Sequence, residues 1–253
     1  MSGPIIKTSD EIKIMEEGGK KLARVKRKIE RAMRAGVNAL EIEKLATDLI
    51  KKEGGKPSFK TVSGYFWSTC INVNEGVVHG IPKKETMFKR GDVASVDVGL
   101  FYRGFHTDTS TTILVDGEDD HDKVRFLEIG RKALKEAIGA IETGNIVGDI
   151  SAAIEATLKK EGVNPIKALV GHGIGRRLHE KPLVPCFISG AAYENAPLRE
   201  GLVLAIEVMY CQGSPDLVVE ADGWTIRTKD GKIAGLFEET VAVTKNGPFV
   251  LTE

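Results

Sequence analysis

Thiols are scarce in this chain. Three cysteines, Cys70, Cys186 and Cys211, stand far apart in 253 residues with no Cys-x-x-Cys pair. Neither a disulfide framework nor a thiolate zinc site is indicated, and a reducing compartment fits best. Net charge is also missing: 36 Lys+Arg balance 36 Asp+Glu, so there is no global attraction to phosphate backbones or anionic lipid. Sequence-specific nucleic-acid binding is not expected. No stretch approaches the ~18 apolar residues of a membrane span, and the charged start has no signal-peptide core. The expected setting is cytoplasmic, away from membranes. What is present is an ordinary globular composition, 42% apolar and 28% charged, enough to build one domain over residues 1–253 around a sizeable core.

Helical spacing of Ile12, Met15, Leu22, Val25, Ile29 and Met33 follows a helix-start signal at Thr8-Ser9-Asp10-Glu11 and stops at Gly36. A second helix is predicted over Leu40–Lys52. Short β-branched and aromatic runs fill Phe59 to Val115, helices return near Asp122–Ile141 and Val147–Lys160, and strand-like runs follow from Leu202 to Thr244. The order helices, strands, helices, strands predicts an α+β fold of two halves, with a mixed or antiparallel sheet backed by helices. Lys20 to Arg34 hold eight Lys or Arg on one amphipathic helix, which reads as a wet face rather than an RNA or ribosome contact. Asp116 to Asp122 reads as a solvated acidic loop.

Several carboxylates sit where strands are otherwise apolar. In Gly91–Leu100, Asp97 alternates away from the face of Ala94, Val96, Val98 and Leu100. If a hairpin turns at Tyr102-Arg103, Asp97 faces Asp108, and like charges there need either a proton or a cation between them. Glu207 interrupts the apolar run Leu202–Tyr210, and Glu238 and Glu239 must point to opposite faces of their strand. Gly171-His172-Gly-Ile-Gly175-Arg-Arg-Leu-His179 packs two imidazoles among glycines that could let backbone come close to a ligand. Carboxylates with one imidazole form an oxygen-rich set suited to Mn, Fe, Co or Zn ions. His106 receives no role.

Seven segments stand in register with one family: Asn72-Val-Asn-Glu-Gly-Val-Val-His79-Gly-Ile-Pro82, Ser95-Val-Asp97-Val-Gly99, His106-Thr-Asp108-Thr-Ser110, Gly171-His172-Gly-Ile-Gly175, Leu178-His179-Glu180, Ile206-Glu207 and Phe237-Glu238-Glu-Thr240. In order and spacing they resemble the type I methionine aminopeptidases, over nearly the whole chain. The resemblance implies the pita-bread fold, two pseudo-symmetric α/β halves enclosing two divalent metal ions (Co, Mn, Fe, Ni or Zn). It implies five ligands: Asp97, Asp108, His172, Glu207 and Glu238, with Asp108 and Glu238 bridging. The implied reaction removes the initiator methionine from nascent polypeptides, preferring a small second residue, through a water activated between the ions.

By the same resemblance Glu207 also accepts a proton, while His79 and His179 are catalytic and substrate-binding. Phe59, Tyr65, Cys70 and Trp224 form the methionine pocket, whose aromatic and sulfur surfaces suit a thioether. A monomer is expected, with nascent N-termini as its partners and transient ribosome contact left open. Two positions depart from the family pattern: Leu178, commonly aromatic, and Val208, commonly proline. A proline-directed peptidase of the same fold is the nearest competitor, though such enzymes usually carry an additional N-terminal domain. A non-catalytic relative is disfavoured because every ligand position and both histidines are present.

Overall fold

The computed structural model of the chain describes residues 3–253. Helix α1 (Ser9–Ala32) starts at a capping box in which the Thr8 hydroxyl accepts from the Glu11 amide and the Glu11 carboxylate accepts from the Thr8 amide. Helix α2 (Ala39–Lys52) is capped by Asn38. Then come β1 (Lys56–Pro57), β2 (Thr69–Val73), β3 (Gly76–Val78), β4 (Val93–Tyr102) and β5 (Phe105–Leu114). Helices α3 (His121–Gly139) and α4 (Val147–Lys160) open the second half. It continues through β6 (Asn164–Pro165), β7 (Val170–Gly173), β8 (Glu180–Pro185), β9 (Val203–Cys211), β10 (Leu217–Val219), β11 (Ile226–Thr228), β12 (Ala234–Thr244) and β13 (Gly247–Val250). The acidic stretch is only partly loop: Asp120 caps α3, and His121 is its first residue.

Ten strands form one sheet in the order β1-β4-β5-β12-β9-β7-β8, with β2 on β4, β6 on β9 and β13 on β12; β10, β11 and β3 form a small second sheet. The named strand pairings are antiparallel. Each half lays a helix pair over two long strands. Ala94, Val96, Val98 and Leu100 pack with Leu22, Ile29, Ile42 and Ile50 of α1 and α2. Leu204, Ile206, Val208 and Tyr210 pack with Phe126, Ile129, Ile150 and Ile154 of α3 and α4. Alternation then turns Asp97 and Glu207 to the opposite side of the sheet. Val208, one of the two departures, is fully buried on the helix side and does not line the cavity that Glu207 faces.

The hairpin β4–β5 departs from the predicted register. It turns at Arg103-Gly104, both at positive φ (47° and 93°), so Tyr102 pairs with Phe105. Two-residue hairpin turns with positive φ at both central positions match the strand twist and favour glycine at the second, which Gly104 supplies. Asp97 therefore lies opposite Ser110, and Asp108 opposite Gly99. The two aspartates are diagonal neighbours, still on one face.

Candidate metal centre

β4 and β5 bring Asp97 and Asp108; β7, β9 and β12 bring His172, Glu207 and Glu238. Glu207 and Glu238 are directly registered across β9 and β12, and Glu238 pairs with Ser110 across the junction of the halves. All five side chains line one cavity of about 190 Å³. Donor atoms of Asp108, His172 and Glu238 lie within 4.8 Å of one another. His172 Nε2 is 3.5 Å from Glu207 Oε1. The other ring nitrogen, Nδ1, stands 2.9 Å from the Gly173 carbonyl, which can only accept, so Nδ1 carries the proton and Nε2 faces the carboxylates with a lone pair.

The electrostatics are those of a cation site. Burial first, then the charge of Asp108, pushes Glu207 up to about 8. Burial likewise raises Asp97, Asp108 and Glu238 well above the carboxylate range, reinforced by neighbouring carboxylates. Burial, then nearby His179, lowers His172 to about 4, so the imidazole is neutral. Asp97 Oδ1 and Glu238 Oε1 are buried with no hydrogen-bond partner among the described residues. Four crowded carboxylates, two orphaned oxygens and a neutral imidazole fit divalent cations, whose charge offsets theirs.

The remaining predicted residues line the same cavity: His79, His179, Phe59, Tyr65, Cys70 and Trp224. His79 stands at φ 58°, rare for a residue with a side chain, and is the one left-handed non-glycine residue among the described residues that lines the cavity. Its loop is held by Asn72, whose Oδ1 accepts from the Gly80 amide at 2.9 Å and whose Nδ2 lies 3.1 Å from Ser95 Oγ. His179 meets the His172 ring edge-to-face at 4.5 Å. Tyr65 packs edge-on against Phe59 and Trp224, and its hydroxyl donates to the Thr69 carbonyl at 2.9 Å. Cys70 is a free buried thiol 3.2 Å from that hydroxyl, and Cys186 and Cys211 are free and outside the cavity.

Sequence reasoning missed Val62 and Val78, which complete the wall beside Leu178; isolated valines carry no signal for a pocket. His106, given no role, is buried outside the cavity lining, with Nδ1 2.9 Å from Ser58 Oγ and its ring 4.6 Å from Phe101. The glycines of 171–175 face protein rather than ligand. A Cβ on Gly171 would lie 2.6 Å from the Ala205 carbonyl, and one on Gly173 2.3 Å from that of Lys181. They let β7 pack tightly against its neighbours.

The sequence model described as metallopeptidase family M24 matches residues 13–245. This chain belongs to metallopeptidase family M24. A methionine aminopeptidase of Aquifex aeolicus is 38% identical to this M24 chain over 249 residues, 96% of each protein. Methionine aminopeptidase 1 of Bacillus subtilis is 37% identical over 98% of each. Among solved structures, a methionine aminopeptidase of Thermotoga maritima superposes with a TM-score of 0.94 at 41% identity, covering 99% of both chains. A prolidase of Pyrococcus furiosus gives 0.79 at 25% identity, with the M24 chain spanning 66% of it. The two-half α+β architecture is the fold shared with these enzymes.

Proposed function

We propose that this M24 metallopeptidase removes the N-terminal methionine from polypeptides, preferring a small second residue. One observation carries the reading: five ligand-type side chains from both halves and an aromatic–sulfur pocket open onto a single cavity. Its volume, about 190 Å³, is below the ~300–1,000 Å³ of drug-sized sites and suits one side chain. Phe59, Tyr65, Cys70, Leu178 and Trp224 would enclose a thioether. Asp97, Asp108, His172, Glu207 and Glu238 would hold two divalent ions, Co, Mn, Fe, Ni or Zn. Such ions, when bound, polarise a carbonyl and acidify water.

The chain's own groups do the rest. Glu207, lining the cavity beside His172, accepts a proton from the attacking water. His79 hydrogen-bonds the scissile amide, and His179 donates to the oxyanion that develops on the carbonyl. Burial holds both imidazoles below their ordinary range, so each enters the reaction neutral with one N–H to offer. Among the described residues no helix is long and apolar enough to cross a membrane. The reading includes a single catalytic unit over 1–253, whose first two residues lie outside the described ones, acting as a cytoplasmic monomer on nascent N-termini, with transient ribosome contact.

Metal-stripped protein given Met-Ala or Met-Gly peptides should release methionine after divalent metal is added and stop on chelation. Cleavage of Xaa-Pro peptides without Met-Ala cleavage would instead select the chemistry named for the prolidase neighbour.

A further inference from the structure

The segment ahead of α1 runs against the bend that carries His179. Lys7 is buried there, and its ammonium donates to Glu180 Oε2 at 2.7 Å and to the Ile5 carbonyl at 3.0 Å. The two side chains are shut off from water, 1% and 0% exposed. The Lys7 backbone is tied as well, its amide donating to the Gly201 carbonyl at 2.8 Å. Glu180 follows His179 directly, and its second oxygen accepts from the Arg177 amide at 3.0 Å. One carboxylate thus fixes the chain on both sides of His179.

Gly175 makes room for this arrangement. A Cβ there would lie 2.2 Å from Lys7 Cε, so only glycine lets the lysine stem pass. The Gly175 carbonyl accepts from the His106 amide at 2.7 Å, and Arg176 pairs with Glu11 of α1 at 2.5 Å. His179 lies in the bend between β7 and β8, outside either strand, and its ring contact is to His172. Where the imidazole sits therefore depends on how the bend is anchored. A desolvated lysine–carboxylate pair is a poor stabiliser compared with apolar packing of the same volume, whereas it does specify geometry.

We propose that the Lys7–Glu180 pair is a positioning device that sets the place of the His179 imidazole, and through it turnover, while touching neither metal nor substrate. This rests on the reading of His179 as an auxiliary group in peptide hydrolysis. Full-length Lys7→Met, Glu180→Gln and the double variant separate positioning from plain stability. With Mn(II), methionine release from Met-Ala-Ser gives kcat and KM. With diamagnetic Zn(II), proton–carbon correlation spectra of the histidine rings, assigned through His179→Ala, report the ring without any substrate.

Lys7→Met is expected to lose about tenfold to a hundredfold in kcat, the scale of a misplaced catalytic group. KM should hold within about twofold, as when only transition-state contacts suffer. Metal content should be unchanged, the His179 signals should shift, and those of exposed His121 should not. The double variant buries no lone charge and should regain melting temperature while kcat stays low; it carries the same test if Lys7→Met fails to fold. Recovery of kcat together with melting temperature in the double variant overturns the proposal, as do unmoved His179 signals. Absence of methionine release by the unmutated protein defeats the functional reading instead, and the ring spectra still decide the positioning.

Discussion

The Thr240 hydroxyl holds both backbone polar groups of Asp108, accepting from its amide at 2.9 Å and donating to its carbonyl at 2.7 Å. This staple lies on the junction of the two halves, where β5 and β12 share one registered pair, Ser110 with Glu238. Other threonines do likewise: Thr109 Oγ1 donates to the Glu238 carbonyl at 2.8 Å, and the Thr112 hydroxyl bridges the Leu236 amide and carbonyl at 2.9 and 2.7 Å. Hydroxyls take the place of a regular ladder at the point where the proposed ligands from both halves meet.

Thr240→Val preserves the shape and removes the staple. Two buried backbone groups then lose a partner, at about 1–3 kcal/mol each. Urea unfolding of the metal-stripped variant should show about 2–6 kcal/mol less stability. Metal affinity should fall by about 10–100-fold, as when a ligand loses its outer support. Unchanged values of both would refute the staple's role.

Asp108→Asn should lose metal and activity together, because Asp108 stands within 4.8 Å of ligand atoms of both His172 and Glu238. An amide offers one oxygen and no charge to a set that needs carboxylates to balance cations. Metal analysis after gel filtration, with the peptide assay alongside, checks this; a variant keeping both would remove Asp108 from the centre.

Much of this centre was legible in the sequence because a carboxylate within an apolar strand is costly unless something pairs with it. Asp97, Glu207 and Glu238 announced themselves that way, and alternation gave their side of the sheet. The order of helices and strands gave the two halves. The hairpin register did not follow, since it depends on whether Arg103 takes a positive φ, and arginine carries no signal for that. The Thr240 staple joins residues 132 apart, and the Lys7–Glu180 pair residues 173 apart. Such pairings leave no periodic trace, and a lone lysine near a chain start reads as surface.

His179→Ala separates ligand from auxiliary roles. The ring faces the cavity beside His172, and the work proposed for it is donation to the oxyanion. Loss of one such donor costs about 10²–10³ in kcat. Turnover should drop on that scale with metal stoichiometry intact, measured by steady-state kinetics and elemental analysis. Metal loss would make His179 a ligand.

Stability without metal should fall as pH rises above neutrality. Asp97, Asp108, Glu207 and Glu238 are raised by burial, Glu207 to about 8, so the folded state keeps protons that the unfolded chain has released. Where the folded state binds more protons, unfolding free energy declines with pH, by about 1.4 kcal/mol per unit for each extra proton. Four histidines work the other way. Burial lowers His79, His106, His172 and His179, so the unfolded chain binds their protons and stability rises with pH. That opposition ends once unfolded imidazoles deprotonate, near ~6.5. Above it the four carboxyls, joined by the buried thiols of Cys70, Cys186 and Cys211, outweigh the single lowered ammonium of Lys7, so the melting temperature of chelated protein should fall from pH 7 to 8. Saturating divalent metal supplies the missing counter-charge and binds only deprotonated ligands, so the same interval should then show no fall. A chelated protein whose melting temperature held steady or rose from pH 7 to 8 would mean that these carboxyls are ionised without metal, and that the cavity is balanced some other way.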